Sequence, residues 1–405
     1  MATRAPYPAA LDFAAKQVGN LLHQHPDYFP IYTVNGKWHH GGELWTDWTG
    51  GFLAGMMWQF HLRERHDTHF QPHAEALATS SWRKRAEHYS KLLEHRQHDR
   101  DVHDLGFIFL STYLPWYELT GEKQLHDTLI QAGRTLAMRF MERGQYLRSF
   151  VAPESLFIDI MMNVPIIFYA ANETGDRELA RVATAHCLTT RDCLVREDGS
   201  TAHEGLFDLA TGKFLKQTTH QGLRDDSAWA RGLAWSLYGF SKSYALTGNP
   251  EFLEVAERNA DYWISNLPGD HIPLWDFDAD PNEPPPFGNQ RESSAAAIAA
   301  SGLHDVARQT ADDNKAEQYE AAALAMLDTL CTPTYLANQT PGWEGILKHG
   351  VYHTAKNLGV DESVMWGEYF FVEALTKVVC SQFDRVSPEA LERNSEKYAA
   401  FRLSK

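Results

Sequence analysis

Apolar positions along this chain fall into two alternating kinds of segment. Segments 105–119, 159–174, 227–246, 293–303 and 363–379 are rich in apolar, aromatic and small residues, as expected of helices buried inside a protein. Segments 81–96, 124–143, 178–188, 251–267 and 316–330 are amphipathic, with apolar residues at helical spacing and a charged outer face. Another amphipathic helix is expected within residues 1–24. The alternation recurs at roughly 50–70 residues, so a helix pair is the expected unit.

Each inner segment opens on an acid: Asp104, Asp159, Asp225-Asp226, Glu292 and Asp361-Glu362. Three close on a helix C-cap, at Thr120-Gly121, Thr174-Gly175 and Thr247-Gly248, and the Glu292 segment is expected to stop near Gly302. Strand signals are thin. Residues 276–287, with Pro284-Pro285-Pro286, read as a lid or pocket-wall loop. No linker divides the chain, and one domain spanning 1–405 is expected. The pattern predicts an all-α closed array whose inner helices aim their N-termini at one mouth.

The sharpest local signal is the run from Phe157 to Tyr169. Pro165 lacks an N–H and fits only near a helix start, which puts Asp159 at or just before the first turn. There a carboxylate faces unpaired backbone N–H groups and is ordinarily a cap. Asp104 occupies the same station of the preceding inner helix, which raises both residues to candidates for a paired-carboxyl site.

Composition narrows the function. With 43% hydrophobic and 12% aromatic residues, the 405-residue chain can bury a large core. No apolar run approaches the ~20 residues that span a bilayer, and the N-terminus lacks a secretory h-region, so a cytoplasmic protein without membrane contact is expected. Cys187, Cys193, Cys331 and Cys380 form no CxxC pair or metal-ligand spacing and read as reduced thiols. The net charge of −16 argues against nucleic acid. An anionic substrate would require a locally positive pocket.

Several motifs together resemble the unsaturated glucuronyl hydrolases of glycoside hydrolase family 88. They are Trp48-Thr49-Gly50-Gly51-Phe52, His103-Asp104-Leu105-Gly106-Phe107, Ile158-Asp159 through Pro165, and Thr219-His220-Gln221-Gly222. Gly55-Met56-Met57-Trp58, Asp226-Ser227-Ala228-Trp229-Ala230-Arg231-Gly232, His349-Gly350-Val351-Tyr352-His353, Asp361-Glu362-Ser363 and Trp366-Gly367 complete the set, which runs in order from about Trp45 to Leu375. The resemblance implies an (α/α)6 barrel that hydrates the C4–C5 double bond of a non-reducing-end unsaturated uronic acid. It implies no metal or organic cofactor, since an enol ether is already activated toward protonation.

By that resemblance Asp159 is the proton donor and then the base toward water, and Asp104 holds sugar hydroxyls and biases Asp159. An ordinary Asp is protonated only about one part in a thousand at pH 7, so a raised pKa is expected at Asp159. Arg231 and Trp235, four apart on one helix, are expected to meet the substrate anion and a sugar ring. Trp48 resembles the family's stacking tryptophan, while Trp45 and Trp58 read as core. His103, His203, Thr219, Gln221, Tyr352 and Lys356 complete the expected substrate-binding set, with His220 a weaker choice than Gln221. Glu292 reads as a cap before a third pocket carboxylate. His349 and His353 have an HxxxH spacing, but the surrounding glycines suggest a loop, and no metal is expected.

Phe150 stands where the resemblance implies a pocket tryptophan, and the sulfate-recognising pattern is only partly present, through Thr354 and Lys356. Both bear on the leaving saccharide. The expected partner is an unsaturated uronyl oligosaccharide, with the chain a monomer or homodimer. Rival readings are an unsaturated rhamnogalacturonyl hydrolase, a sugar epimerase on the same barrel, and a non-catalytic oligosaccharide-binding protein.

Overall fold

The computed structural model describes residues 6–39, 48–66, 81–285 and 287–380. Among them, outer and inner helices alternate in chain order. Outer α1 (Pro6–Gln24) precedes inner α2 (Gly50–His66), and α3 (Trp82–Leu92) precedes α4 (Leu105–Phe109) with its continuation α5 (Tyr113–Thr120). The same alternation gives α6 (Lys123–Ala137) and α7 (Pro165–Thr174), then α8 (Arg177–Leu194) and α9 (Ala230–Thr247). It ends with α10 (Pro250–Asn266) and α11 (Ser293–Gln309), then α12 (Asp313–Leu330) and α13 (Met365–Val379). α13 packs on α2, so the inner ring closes into an (α/α)6 barrel. α11 lies between α9 and α13.

Burial follows the two kinds of apolar pattern. Every residue of α9 from Ala230 to Ser241 and of α11 from Ser293 to His304 is buried. Outer helices such as α8 and α10 bury one stripe and expose the rest. One continuous apolar core runs from Tyr7 to Leu375. The three Thr-Gly stops hold: Gly121, Gly175 and Gly248 all adopt the left-handed conformation that ends a helix.

Other expectations need correction. The 105–119 segment is two helices, because Pro115 has no N–H to offer the Ser111 carbonyl and the Thr112 hydroxyl turns back on Ile108. Gly302 does not stop α11, which runs on to Gln309; a Cβ at Gly302 would meet a Leu237 methyl at 2.5 Å, so this glycine serves close helix packing. Asp225-Asp226 do not open α9, whose N-cap is Trp229; Asp226 pairs with Arg224 on the surface. Asp361-Glu362 lie on a strand, and α13 begins after Val364.

Strands are also more numerous than the sequence pattern suggested. β1 (Thr33–Val34) pairs with β2 (Lys37–Trp38), and β3 (Phe140–Met141) with β4 (Tyr146–Leu147). β5 (Ser155–Phe157), β6 (Glu204–Phe207) and β7 (Phe214–Thr218) form an antiparallel sheet. β8 (Gly350–His353) pairs with β9 (Leu358–Glu362). Such strands are too short to show a period in sequence, yet they shape the mouth at the N-terminal ends of the inner helices. All four cysteines are free thiols. Among the described residues no helix is long and apolar enough to cross a membrane.

Candidate active site

The loops at those N-termini enclose a cavity of about 490 Å³, and both Asp104 and Asp159 line it. Asp104 stands at the N-cap position of α4 and Asp159 in a 3-10 turn, Ile158–Met162, just ahead of α7. Asp104 makes no capping hydrogen bond and Asp159 Oδ2 has no hydrogen-bond partner, so neither serves as the helix cap its station suggests. Asn163 ties the two stations together by accepting the Phe107 N–H at 2.8 Å, one turn into α4.

Sheet register sets the surroundings of Asp159. Phe157 on β5 pairs with Glu204 on β6, and the Ile158 N–H donates to the His203 carbonyl, so His203 lies beside Asp159. Pairing of Glu204 with Thr218 then brings the 219–222 turn over the same imidazole. The backbone N–H groups of His220 and Gln221 both point at His203 Nδ1, at 3.0 and 3.2 Å. That nitrogen must be the bare acceptor, so the ring proton sits on Nε2. Nε2 faces Asp159 Oδ2 at 3.5 Å, longer than a formed hydrogen bond, and neither atom has another hydrogen-bonding partner.

A second histidine repeats the arrangement. His103 Nδ1 accepts the Phe150 N–H at 3.1 Å, leaving Nε2 3.4 Å from Asp104 Oδ1. Burial pushes His103 down to about 3, so it stays neutral. Arg139 fixes the donor loop by donating to the carbonyls of Arg148 and Ser149.

The two carboxyls are driven apart. Burial first, then the charge of Asp159, raises Asp104 to about 8. Burial would also raise Asp159, but the His203 side chain foremost, with the Arg231 charge, outweighs it and holds the group below its ordinary value. This corrects the sequence expectation, which put the raised pKa on Asp159. The opposite directions of the two shifts leave the pair sharing one proton at neutral pH, with Asp104 the favoured holder.

Arg231, at the start of α9, also lines the cavity, yet it is buried and held on several sides. Its guanidinium lies over the Trp229 ring at 4.4 Å and the Trp366 ring at 5.0 Å. It donates to the carbonyls of Val351 and Tyr352, to Gln221 Oε1 at 2.5 Å, and faces Glu292 Oε2 at 3.5 Å. Glu292 is the cap it was expected to be, accepting the Ser294 N–H, and it also receives the Val351 N–H.

Trp48, Phe150, Gln221, Tyr352 and Lys356 line the cavity as expected. Three expected residues do not. Trp235 is fully buried one turn below Arg231, against Phe107 and Phe370, because the shared helical face continues into the barrel core. Thr219 spends its hydroxyl on the Gly222 N–H within its own turn. His203 packs at a tilt between the Phe157 and Trp229 rings and acts on the cavity through Asp159 and the 220–221 backbone. Trp58 is core as expected, and Trp45 lies outside the described residues. The start of the loop expected to wall the site backs it instead: buried Asp276 accepts from the Leu223 N–H and the Ser227 hydroxyl.

Sequence reasoning missed Phe157 and Val151 and undervalued His220, all cavity residues. It also missed Arg139, which leaves no motif of its own, and gave no role to Trp229 and Trp366, which stand in the quoted motifs and act through Arg231. His349 precedes and His353 ends strand β8, so the two are not on a helix turn, and His349 is bonded to Asp361 at 2.5 Å. Among the described residues no three His, Cys, Asp or Glu are grouped to hold a metal ion.

An (α/α)6 barrel with a buried and a part-buried aspartate, an anchored arginine and aromatic walls around one cavity is the architecture of a sugar-processing enzyme. The sequence profile of Glycosyl Hydrolase Family 88 matches residues 14–334, and the chain belongs to that family and is a glycosidase. It is 32% identical over 340 residues to an unsaturated glucuronyl hydrolase of Bacillus sp. (strain GL1), covering 82% of this chain and 86% of that one. It is 30% identical over 378 residues to an unsaturated chondroitin disaccharide hydrolase of Streptococcus pyogenes serotype M1, covering 91% and 90%. A solved unsaturated glucuronyl hydrolase from Bacillus sp. GL1 superposes with a TM-score of 0.81 at 28% identity, over 92% of this chain and 97% of that one.

Proposed function

We propose that the enzyme adds water across the C4–C5 double bond of an unsaturated uronic acid at the non-reducing end of a lyase-generated oligosaccharide. Asp159 delivers a proton to C4, and its carboxylate then takes a proton from the water that bonds to C5. The C5 hemiketal opens by breaking C5–O5, and the freed C1 hemiacetal releases the remaining saccharide. One proton enters and one leaves at Asp159, so the carboxyl is restored each cycle.

The observation that carries this reading is the pair of oppositely shifted aspartates on one cavity. The pair supplies the single proton the reaction needs. Arg231 is one of the groups that depress Asp159, so a substrate carboxylate drawn to Arg231 offsets that effect and moves Asp159 toward its protonated form. Arg231 and Lys356 bring positive charge to the cavity wall in a chain of net charge −16. Trp48 and Tyr352 offer ring faces to a sugar, and Phe150 lines the wall expected to meet the leaving saccharide.

The test follows the ultraviolet absorbance of the unsaturated bond on matched chondroitin-derived and rhamnogalacturonan-derived disaccharides. Faster decay on the chondroitin product is expected. Decay on the pectin product alone would move the enzyme to the rhamnogalacturonyl group, and no decay on any unsaturated uronide would end the proposal.

A further inference from the structure

One buried guanidinium, that of Arg139 just after α6, joins two segments that meet at the catalytic cavity. Its Nε donates to the Arg148 carbonyl at 3.0 Å, Nη2 to the Ser149 carbonyl at 2.6 Å, and Nη1 to the Arg100 carbonyl. The Arg100 segment leads directly into His103 and Asp104, and Ser149 immediately precedes Phe150 and Val151. All four of these following residues line the cavity, His103 and Asp104 at the acid station, Phe150 and exposed Val151 on the wall expected to meet the leaving saccharide.

The same bonds keep the wall in register with the acid. The Arg148 N–H returns to the Arg139 carbonyl at 3.1 Å, and the Ser149 N–H goes to the Ser155 carbonyl at 2.7 Å. The next N–H, of Phe150, crosses to His103 Nδ1 at 3.1 Å, and the Phe150 and His103 rings lie 5.4 Å apart. Phe150 therefore meets the acid segment through both its backbone and its ring. Arg139 clamps each segment just before that meeting. A planar fork of N–H donors can reach three carbonyls at once, whereas an ammonium is a single point.

We propose that Arg139 is a positioning residue of the reaction: it sets the Phe150–Val151 wall against the leaving saccharide and the His103–Asp104 segment against that wall. Its charge, reaching Asp104 from the same place, couples the wall to the acid. This rests on the uronide-hydration reading. Asp104 is raised by burial and by Asp159, with Asp99 adding to the rise, while Arg96 and Arg139 oppose it. Arg96, in the 3-10 turn Glu94–His98, is bonded to Asp99 at 3.0 Å. None of the three Arg139 hydrogen bonds goes to a carboxylate, so no bonded partner cancels its charge. Neutral His103 at 3.4 Å and the Tyr352 phenol from β8 complete the groups facing Asp104. Arg148, Asp101 and Asp99 face Arg139 itself.

The experiment compares Arg139→Lys, which keeps the charge and loses the fork, with Arg139→Gln, which loses both. Each is assayed by decay of the unsaturated-bond absorbance on a lyase-derived disaccharide and on the methyl glycoside of the unsaturated uronic acid, which presents no second sugar to the wall. Both variants are expected to raise KM for the disaccharide about three- to tenfold, the worth of one hydrogen bond, and to leave KM for the methyl glycoside within about twofold. Only Arg139→Gln moves the basic limb of the kcat/KM profile, upward from about pH 8, because a positive charge that lowered Asp104 is gone. A purely structural role would lower Tm and leave both the ratio of the two KM values and the basic limb in place. That result, or a basic limb unmoved in Arg139→Gln, overturns the proposal while wild-type turnover upholds the hydration reading. Absence of wild-type turnover on both substrates would instead remove that reading, and this proposal with it. If Arg139→Gln misfolds by circular dichroism, Arg139→Lys carries the test through the KM ratio.

Discussion

His203 presents its Nε2–H to Asp159 at 3.5 Å because two main-chain N–H groups occupy its other nitrogen. The imidazole therefore acts on the carboxyl as an oriented neutral donor. Replacing His203 with Ala removes the foremost group holding Asp159 down, so burial wins and the Asp159 pKa rises. The acid limb of the kcat/KM profile is expected to move to higher pH. In the wild type that limb lies on the acid side of the ordinary Asp value and the basic limb falls near pH 8, where Asp104 loses its proton. An acid limb that stays in place in His203→Ala would detach His203 from Asp159.

Asp104 makes a prediction about stability. Its folded pKa of about 8 lies above its unfolded value, so between the two the native state binds the extra proton. Stability from this group is complete below the unfolded pKa and is lost as pH rises toward 8. Asp104→Asn mimics the neutral carboxyl and escapes that loss. Its Tm relative to wild type should be near zero difference at pH 4 and clearly positive at pH 8, while turnover falls by about 10²-fold. A Tm difference independent of pH would contradict the assignment of the proton to Asp104.

Arg231 is held as a plane between Trp229 and Trp366 with its N–H groups directed at two carbonyls. A lysine cannot reproduce the plane or the fork. Arg231→Lys is expected to raise KM by about ten- to a hundredfold, the worth of one or two charge-assisted hydrogen bonds. Unchanged KM in steady-state kinetics would remove Arg231 from substrate binding.

Trp235 is expected to matter for stability instead of binding. Truncation to Ala opens a cavity in the barrel core and costs about 3–5 kcal/mol. Trp235→Phe keeps most of the volume, so denaturant unfolding should show a modest loss and KM should stay within about twofold. A KM effect as large as that of Arg231→Lys would return Trp235 to the cavity wall.

How much of this was legible in the sequence depends on what each feature leaves behind. The barrel was legible because inner and outer helices differ in how much of their circumference is apolar, and because three Thr-Gly stops mark their ends. The aspartate pair was legible because motif and helix station coincide. Strand register was not: β5 and β6 are three and four residues long, yet their pairing sets His203 against Asp159. Nor was the direction of the pKa split, which depends on the tautomer of an imidazole and hence on loop N–H groups far away in sequence. Trp235 misled because helical periodicity says which face a residue shares, not how deep along that face the solvent reaches.

The most direct test is Asp159→Asn, followed by the decay of the unsaturated-bond absorbance on a lyase-derived disaccharide that still binds. The account predicts an intact fold, retained binding, and turnover slowed by about 10²- to 10⁴-fold, the scale of a lost proton-transfer group. Turnover within a few-fold of wild type would contradict it.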